Sequence, residues 1–113
     1  MPAAPKTIIY PVKDLAEAKP LYAALLGVAP VMDEAYYVQY NAGDHEVGLD
    51  PNGHRKGATG PVTYWHVDDI KDTMARLLET GAAEQQAIND VGGRLIATVT
   101  DPDGNVIGLL QAR

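Results

Sequence analysis

Two segments of the chain carry apolar residues at helical spacing, and each is preceded by an aspartate and followed by a glycine. The apolar positions are Leu15, Tyr22, Leu25 and Leu26 in the first segment, and Ile70, Met74, Leu77 and Leu78 in the second. This pattern predicts helices over 15–26 and 70–80, with Asp14 and Asp69 as N-cap residues. Pro20 interrupts the first pattern, so that helix either begins near Lys19 or bends there.

Short segments rich in β-formers lie between turn residues and predict the strands. They cover residues 7–12, 36–40, 45–50, 62–67, 94–100 and 105–111, with a weaker edge strand at 83–88. The sequence Asp-Pro-Asp-Gly at 101–104 predicts a tight turn between the last two strands. The predicted order is β-α-β-β-β twice, although the second strand of the first half has no clear position.

The two halves of the chain resemble each other in sequence. Residues 12–15 (VKDL) match residues 67–70 (VDDI), and residues 47–49 (VGL) match residues 107–109 (IGL). An internal repeat of this kind indicates one structural unit that occurs twice. The 113 residues are therefore predicted to form a single domain, with one module at about 6–50, a second at about 61–112, and a Gly-rich linker at 51–60.

Composition and charge exclude several kinds of partner and site. The net charge is −6, so nucleic acid is a poor partner, because a phosphate backbone needs a basic surface. The chain contains no cysteine, which excludes disulfides and thiolate zinc sites. The residues MPAAPKT do not resemble a signal peptide, and no apolar run approaches the length that spans a membrane. We therefore expect a soluble, cytoplasmic protein without a membrane partner.

The repeat and the terminal motif DPDGNVIGLLQ together resemble the vicinal oxygen chelate superfamily, which contains glyoxalase I, the bleomycin-resistance proteins and the extradiol dioxygenases. The resemblance covers nearly the whole chain. It implies an α+β fold in which two βαβββ modules form curved mixed sheets around a cup-shaped partial barrel. It also implies that a chain of this length is a homodimer.

The metal enzymes of this family hold their ligands at four equivalent positions, on the first and last strands of each module. By resemblance, these positions correspond to Thr7, Gly48, Val62 and Gly108 in this sequence. Glycine and valine offer no ligand atom, and a single threonine hydroxyl is a poor ligand for a transition metal. We therefore expect neither a metal site nor another cofactor.

Strand alternation extends these four positions to a predicted binding surface that lines the cup. Its members, all predicted to contact a small-molecule ligand, are Thr7, Ile9, Glu46, Gly48, Val62, Tyr64, His66, Gly108 and Leu110. The two glycines are expected to widen the cup, whereas Trp65 is expected to face the helices and the core. His66 and Tyr64 are candidate catalytic residues, with packing roles as the alternative.

Other candidate sites carry less weight. His45, Asp50 and His54 lie close together in sequence and could suggest a different metal site. A surface cluster is the preferred interpretation, because His45 should point opposite to Glu46 and His54 lies in a loop. The tyrosines at 36, 37 and 40 suggest a binding groove, but they fall on both faces of one strand.

Three functions remain open on the sequence. The first is a metal-free protein that binds a small, cationic or aromatic molecule. The second is a metal-independent isomerase, lyase or hydrolase that uses His66 and Tyr64. The third, which the ligand positions disfavour, is a metal-dependent glyoxalase or dioxygenase. The sequence does not identify the ligand or decide between binding and catalysis.

Overall fold

The computed structural model describes residues 3–112, which form two helices and eight strands in the order βαβββ, repeated once. The elements are β1 (Ala4–Pro11), α1 (Leu15–Leu26), β2 (Met32–Glu34), β3 (Tyr37–Ala42), β4 (His45–Asp50), a 3₁₀ turn (Gly53–Lys56), β5 (Val62–His66), α2 (Ile70–Glu79), β6 (Ala83–Val91), β7 (Arg94–Thr100) and β8 (Val106–Gln111). Neither helix is long and apolar enough to cross a membrane within this part of the chain.

Tertiary contacts divide the chain into two compact units. Of the described residues, one unit spans Lys6–Val62, and the other contains residues 63–112 together with residues 3–5. The strands of the first unit, which we call the first sheet, have the order β2-β3-β4-β1, and those of the second unit, which we call the second sheet, have the order β5-β8-β7-β6. In each sheet the first and last strands of the module, β1 with β4 and β5 with β8, pair in parallel, while the remaining pairs are antiparallel. The predicted α+β fold with mixed sheets is confirmed.

Each helix packs on one face of its own sheet. The buried core of the first unit consists of Val38, Tyr40, Val47 and Leu49, and that of the second consists of Ile70, Met74, Ala97, Val99 and Leu109. Since side chains alternate along a strand, the neighbours of these residues in sequence point to the opposite face. We call that opposite face of each sheet the helix-distal face.

Both helix starts follow the sequence prediction. The Asp14 carboxylate accepts a hydrogen bond from the backbone N–H of Ala16, and the Asp69 carboxylate accepts one from the N–H of Asp72. Helix α1 begins at Leu15 and continues through Pro20, so the alternative start near Lys19 is wrong.

Besides β1, which begins at Ala4 and not at the predicted Thr7, two strands differ from their sequence predictions. The unplaced second strand of the first half is β2, which pairs with β3 from Met32, opposite Gln39, to Glu34. Strand β6 continues past residue 88 to Val91, through two irregularities of register against β7. In both places pairing with a neighbouring strand forms the strand, although its own residues are weak β-formers.

Candidate functional site

The helix-distal face of the first sheet contains four of the residues predicted to bind a ligand. Thr7 on β1 lies opposite Glu46 on β4, and Ile9 lies opposite Gly48. Thr7 is 1% exposed, and its hydroxyl donates a 2.9 Å hydrogen bond to Oε1 of Glu46. This bond fixes the Glu46 carboxylate, which remains half-buried, on the helix-distal face.

A tyrosine covers Gly48 on the same face. A Cβ atom at position 48 would meet the hydroxyl oxygen of Tyr37 and lie 2.6 Å from its Cζ atom. Gly48 is buried beneath this ring, so the expectation that the glycine widens a binding surface is wrong at this position. The missing side chain instead provides space for an aromatic ring from β3.

In the second sheet a tyrosine also covers a glycine, but this tyrosine lies on β5, the first strand of its module, and not on the strand equivalent to β3. Tyr64 on β5 pairs directly with Gly108 on β8, and its Cγ and Cδ2 atoms lie 2.6 Å from where a Cβ at position 108 would stand. Tyr64 is 8% exposed, which shows that its ring is packed against the sheet. The expected gap at Gly108 is therefore filled as well.

The remaining predicted residues of the second module also lie on β5 and β8. His66 pairs with Leu110 and is half-buried, whereas Leu110 and Val62 are buried. Trp65 pairs with Leu109 on the helix side of the sheet, as predicted. Its side chain is nevertheless 36% exposed, so it is not the core residue that the alternation predicted.

The three neighbouring tyrosines separate into three environments. Tyr40 is fully buried in the first core, and its hydroxyl donates a 3.2 Å hydrogen bond to the backbone oxygen of Lys19. This burial raises the pKa of Tyr40. Tyr36 is exposed, and Tyr37 alone of the three lies on the helix-distal face beside Gly48. Sequence reasoning did not assign Tyr37 to the site, although a glycine across the strand pair was a signal for it.

The four positions equivalent to the family's metal ligands do not fit a metal. The Thr7 hydroxyl donates to Glu46, Val62 is a hydrocarbon, and tyrosine atoms take the space beside Gly48 and Gly108. Residues 3–112 contain no group of three or more His, Asp or Glu side chains arranged to hold an ion. His45, Asp50 and His54 therefore do not form such a group.

The helix-distal face of the first sheet is acidic. Its strands, all within the described part of the chain, contribute the carboxylates of Glu34, Glu46 and Asp50, and no lysine, arginine or histidine of these strands lies on this face. The Asp50 carboxylate accepts hydrogen bonds from the backbone N–H of Asn52 at 2.8 Å and from Nζ of Lys56 at 2.9 Å. Lys56 thus offsets the charge of Asp50, while Glu34 and Glu46 add further negative charge to the face.

A separate surface cavity of about 370 Å³ lies in the second unit, beside the start of α2. Its lining includes Asp68, Asp69 and Asp72, and the last of these forms an ion pair with Arg76 at 3.0 Å. This cavity contains none of the residues that the sequence predicted to bind a ligand.

Comparison with known proteins gives a family and a fold. The family model of the Glyoxalase/Bleomycin resistance protein/Dioxygenase superfamily matches residues 5–109. The hypothetical protein BH1468 from Bacillus halodurans C-125 is 13% identical, with a TM-score of 0.77 over 100% of this chain and 96% of the other. A superfamily member from Vibrio splendidus 12B01 is 17% identical, with a TM-score of 0.70 and coverages of 93% and 95%.

Methylmalonyl-CoA epimerase from Mycobacterium tuberculosis is also similar in structure. It is 16% identical, with a TM-score of 0.68, and the match covers 96% of this chain and 87% of the epimerase. No curated protein matches the sequence. At these identities the solved structures share the fold alone, whereas the family model spans both modules. The chain therefore belongs to the Glyoxalase/Bleomycin resistance protein/Dioxygenase superfamily.

Proposed function

We propose that this protein binds a small molecule on its helix-distal faces without a metal ion. The observation that carries the proposal is that Tyr37 and Tyr64 cover the two glycines at the positions where metal enzymes of the family keep a ligand. Aromatic rings on a sheet offer flat apolar contact area together with a polar hydroxyl. These groups suit an organic ligand and not a divalent cation.

The Thr7–Glu46 hydrogen bond supports a polar contact within the same surface. The buried hydroxyl of Thr7 holds one oxygen of the carboxylate, and the next residues along this face of β1 and β4, Ile9 and Gly48, are uncharged. A carboxylate in an acidic, partly apolar environment is suited to a ligand with a positively charged or hydrogen-bond-donating group. Of the residues predicted from the sequence, Ile9, Glu46 and His66 are partly exposed and remain proposed ligand contacts, with Tyr37 added. The others are buried and support this surface from beneath: Thr7, Gly48, Val62, Tyr64, Gly108 and Leu110.

Isothermal titration of chelator-treated protein tests the proposal, with a panel of cationic glycopeptides and aromatic compounds. We expect one-to-one binding that added zinc, nickel, iron or manganese does not change. Absence of binding across the panel, or recovery of a stoichiometric metal from untreated protein, would contradict it.

A matched pair of variants tests the contribution of Glu46. Glu46→Gln keeps an oxygen that accepts the Thr7 hydrogen bond but removes the charge, and we expect it to weaken binding by roughly 10- to 100-fold. Glu34→Gln makes the same change on the exposed edge strand β2, on the same face, and should leave affinity unchanged. Equal effects of the two variants would indicate a general effect of charge and no contact at Glu46.

Proton-transfer catalysis by His66 and Tyr64 is a second candidate. Both side chains lie on the same face of β5, and His66 is half-exposed, so its imidazole is accessible to a bound molecule as a general base. Structures named methylmalonyl-CoA epimerase share the fold at 16% and 20% identity. Exchange of a ligand C–H hydrogen in D2O, followed by NMR and lost in His66→Ala, would support this candidate, while absence of exchange would remove it.

A further inference from the structure

Strand β6, at the edge of the second sheet, contains a bulge opposite a buried hydroxyl group. Glu84 of β6 pairs with Val99 of β7. Gln86, two residues further along β6, pairs with Thr98, which is the adjacent residue of β7. Gln85 is therefore an extra residue between two consecutive pairs. A bulge of this kind redirects a side chain, and bulges are common beside active sites.

The hydroxyl group of Thr98 holds the side chain of Gln85 on the helix-distal face. Thr98 lies on that face because its neighbours Ala97 and Val99 belong to the core under α2. It is 3% exposed, and its hydroxyl donates a 2.9 Å hydrogen bond to Oε1 of Gln85. The amide oxygen thus accepts from Thr98, whereas Nε2 of the same amide is a hydrogen-bond donor. Gln85 is exposed, so a bound molecule can reach this donor.

Charge distinguishes the helix-distal face of the second sheet from that of the first. Strands β5, β7 and β8 contain no aspartate or glutamate, and the two acidic residues of β6, Glu84 and Asp90, pair with residues on the helix side. Alternation places two basic side chains, His66 and Arg94, on the helix-distal face. An anionic group on this face therefore meets no carboxylate from the strands of this sheet, all of which lie within the described part of the chain.

We propose that Gln85 determines the ligand specificity of this face, and that its Nε2 group donates a hydrogen bond to a carboxylate of the bound molecule. This contact rests on the proposed function, since it belongs to a ligand bound on the helix-distal face. Ile96, the next residue of β7 on this face, is half-buried and apolar, which suits an apolar group beside the carboxylate. The ligand class is therefore a carboxylic acid that carries an apolar or aromatic group, and Thr98 is a positioning residue.

Isothermal titration with three compounds that share a naphthalene ring tests this ligand class. We expect the parent protein to bind naphthoate about tenfold more tightly than the neutral naphthamide, because a hydrogen bond to a charged acceptor is the stronger one. Gln85→Glu keeps an oxygen that accepts from Thr98 but replaces Nε2 with a charged oxygen, and it should weaken naphthoate binding by roughly 10- to 100-fold. The cationic naphthylmethylamine should bind Gln85→Glu at least as tightly as it binds the parent protein.

Two further comparisons separate a contact at Gln85 from a general effect of charge or of folding. Asn89→Asp adds the same charge to β6 at the pair opposite Ile96, and it should change the affinity for naphthoate less than about threefold. Thr98→Val removes the hydroxyl that holds the Gln85 amide and should weaken naphthoate binding by roughly 3- to 10-fold. Thr98→Ser keeps the hydroxyl and should bind naphthoate like the parent protein. Circular dichroism should show that all of these variants are folded.

The side-chain amide of Gln85 also gives a direct measurement by NMR. Its N–H signals, assigned by their absence in Gln85→Glu, should shift when naphthoate is added. Unmoved Gln85 signals, equal weakening in Gln85→Glu and Asn89→Asp, or equal affinity for naphthoate and naphthamide would overturn the proposed contact. If naphthoate does not bind while another compound of the panel does, the contact at Gln85 is overturned and the proposed function stands. If nothing in the panel binds, both are overturned.

Discussion

Replacing Gly108 with alanine should destabilise this protein, because the new methyl group would occupy space that the Tyr64 ring already fills. The Cβ atom would lie 2.6 Å from Cγ and Cδ2 of Tyr64, well inside van der Waals contact. These atoms belong to the base of the ring, so the conflict is relieved only if the whole side chain moves. Tyr64 is 8% exposed and has little room to do so.

The expected magnitude follows from two opposing effects. Forcing an extra methyl group into a packed site costs about 1–3 kcal/mol. Replacing glycine in a strand returns roughly 0.5–1 kcal/mol, because the unfolded chain loses conformational freedom. Because the Tyr64 ring has little room to move, the overpacking cost is expected in the upper half of its range, at about 2–3 kcal/mol. The net loss for Gly108→Ala is then about 1–2.5 kcal/mol, or a decrease in Tm of roughly 4–10 °C for a chain of this size.

Two other glycines serve as graded controls. In Gly48→Ala the methyl group would meet the hydroxyl end of Tyr37, which lies farther from its backbone than the base of the Tyr64 ring, so we expect destabilisation that is smaller than in Gly108→Ala. A Cβ atom added at Gly60 would have no neighbour within 4 Å, and Gly60 has no positive φ, so Gly60→Ala should be neutral or slightly stabilising. Urea unfolding followed by circular dichroism gives all three free energies.

A double-mutant cycle isolates the contact between Gly108 and Tyr64. In a Tyr64→Ala background the added methyl group does not meet the Tyr64 ring, so the overpacking cost is absent and Gly108→Ala should cost about 2–3 kcal/mol less than it does in the parent protein. The reasoning would be refuted if Gly108→Ala were as stable as Gly60→Ala, or if its cost were the same with and without the Tyr64 ring.

Three further predictions concern hydrogen bonds that fix the fold. Hydrogen bonds from Asn105 lower the pKa of the Asp101 carboxyl, which therefore stabilises the fold only while it is ionised. Asp101→Asn should lower Tm at neutral pH. The difference in Tm from the parent protein should shrink as the pH falls through the lowered pKa, which a series of Tm measurements against pH tests. Tyr40→Phe removes the buried donor to the oxygen of Lys19 and should cost about 1 kcal/mol in urea unfolding. Asp69→Ala removes the N-cap of α2 and should cost about 1 kcal/mol by the same measurement.

The sequence predicted the helices better than the edge strands, and the reason is physical. Local signals define α1 and α2, since an aspartate caps each helix and apolar residues repeat at its spacing. Strand β2 contains Asp33 and Glu34, which are poor β-formers, and it exists because β3 offers it a partner. Pairing between distant residues leaves no local pattern, so this strand could not be placed from sequence.

The candidate site shows the same limit at the level of side chains. Alternation along β1, β4, β5 and β8 assigned residues to the correct faces, including Thr7 and Glu46. The alternation did not indicate which neighbouring side chain lies over a glycine. A period of two residues fixes the face on which a side chain lies, but not the direction in which that side chain leans. The open positions expected at Gly48 and Gly108 are filled for this reason.

The filled positions strengthen the case against a metal site beyond what the residue types alone could do. If the two glycines left gaps, a carboxylate introduced at position 48 or 108 would enter open space. Instead, any side chain there begins within 2.6 Å of a tyrosine ring atom, so a ligand residue would first have to displace an aromatic ring. The two rings come from different strands, β3 in the first module and β5 in the second. Each module thus excludes a ligand at the equivalent position through its own packing, and a single substitution would not restore the four-ligand arrangement of the metal enzymes.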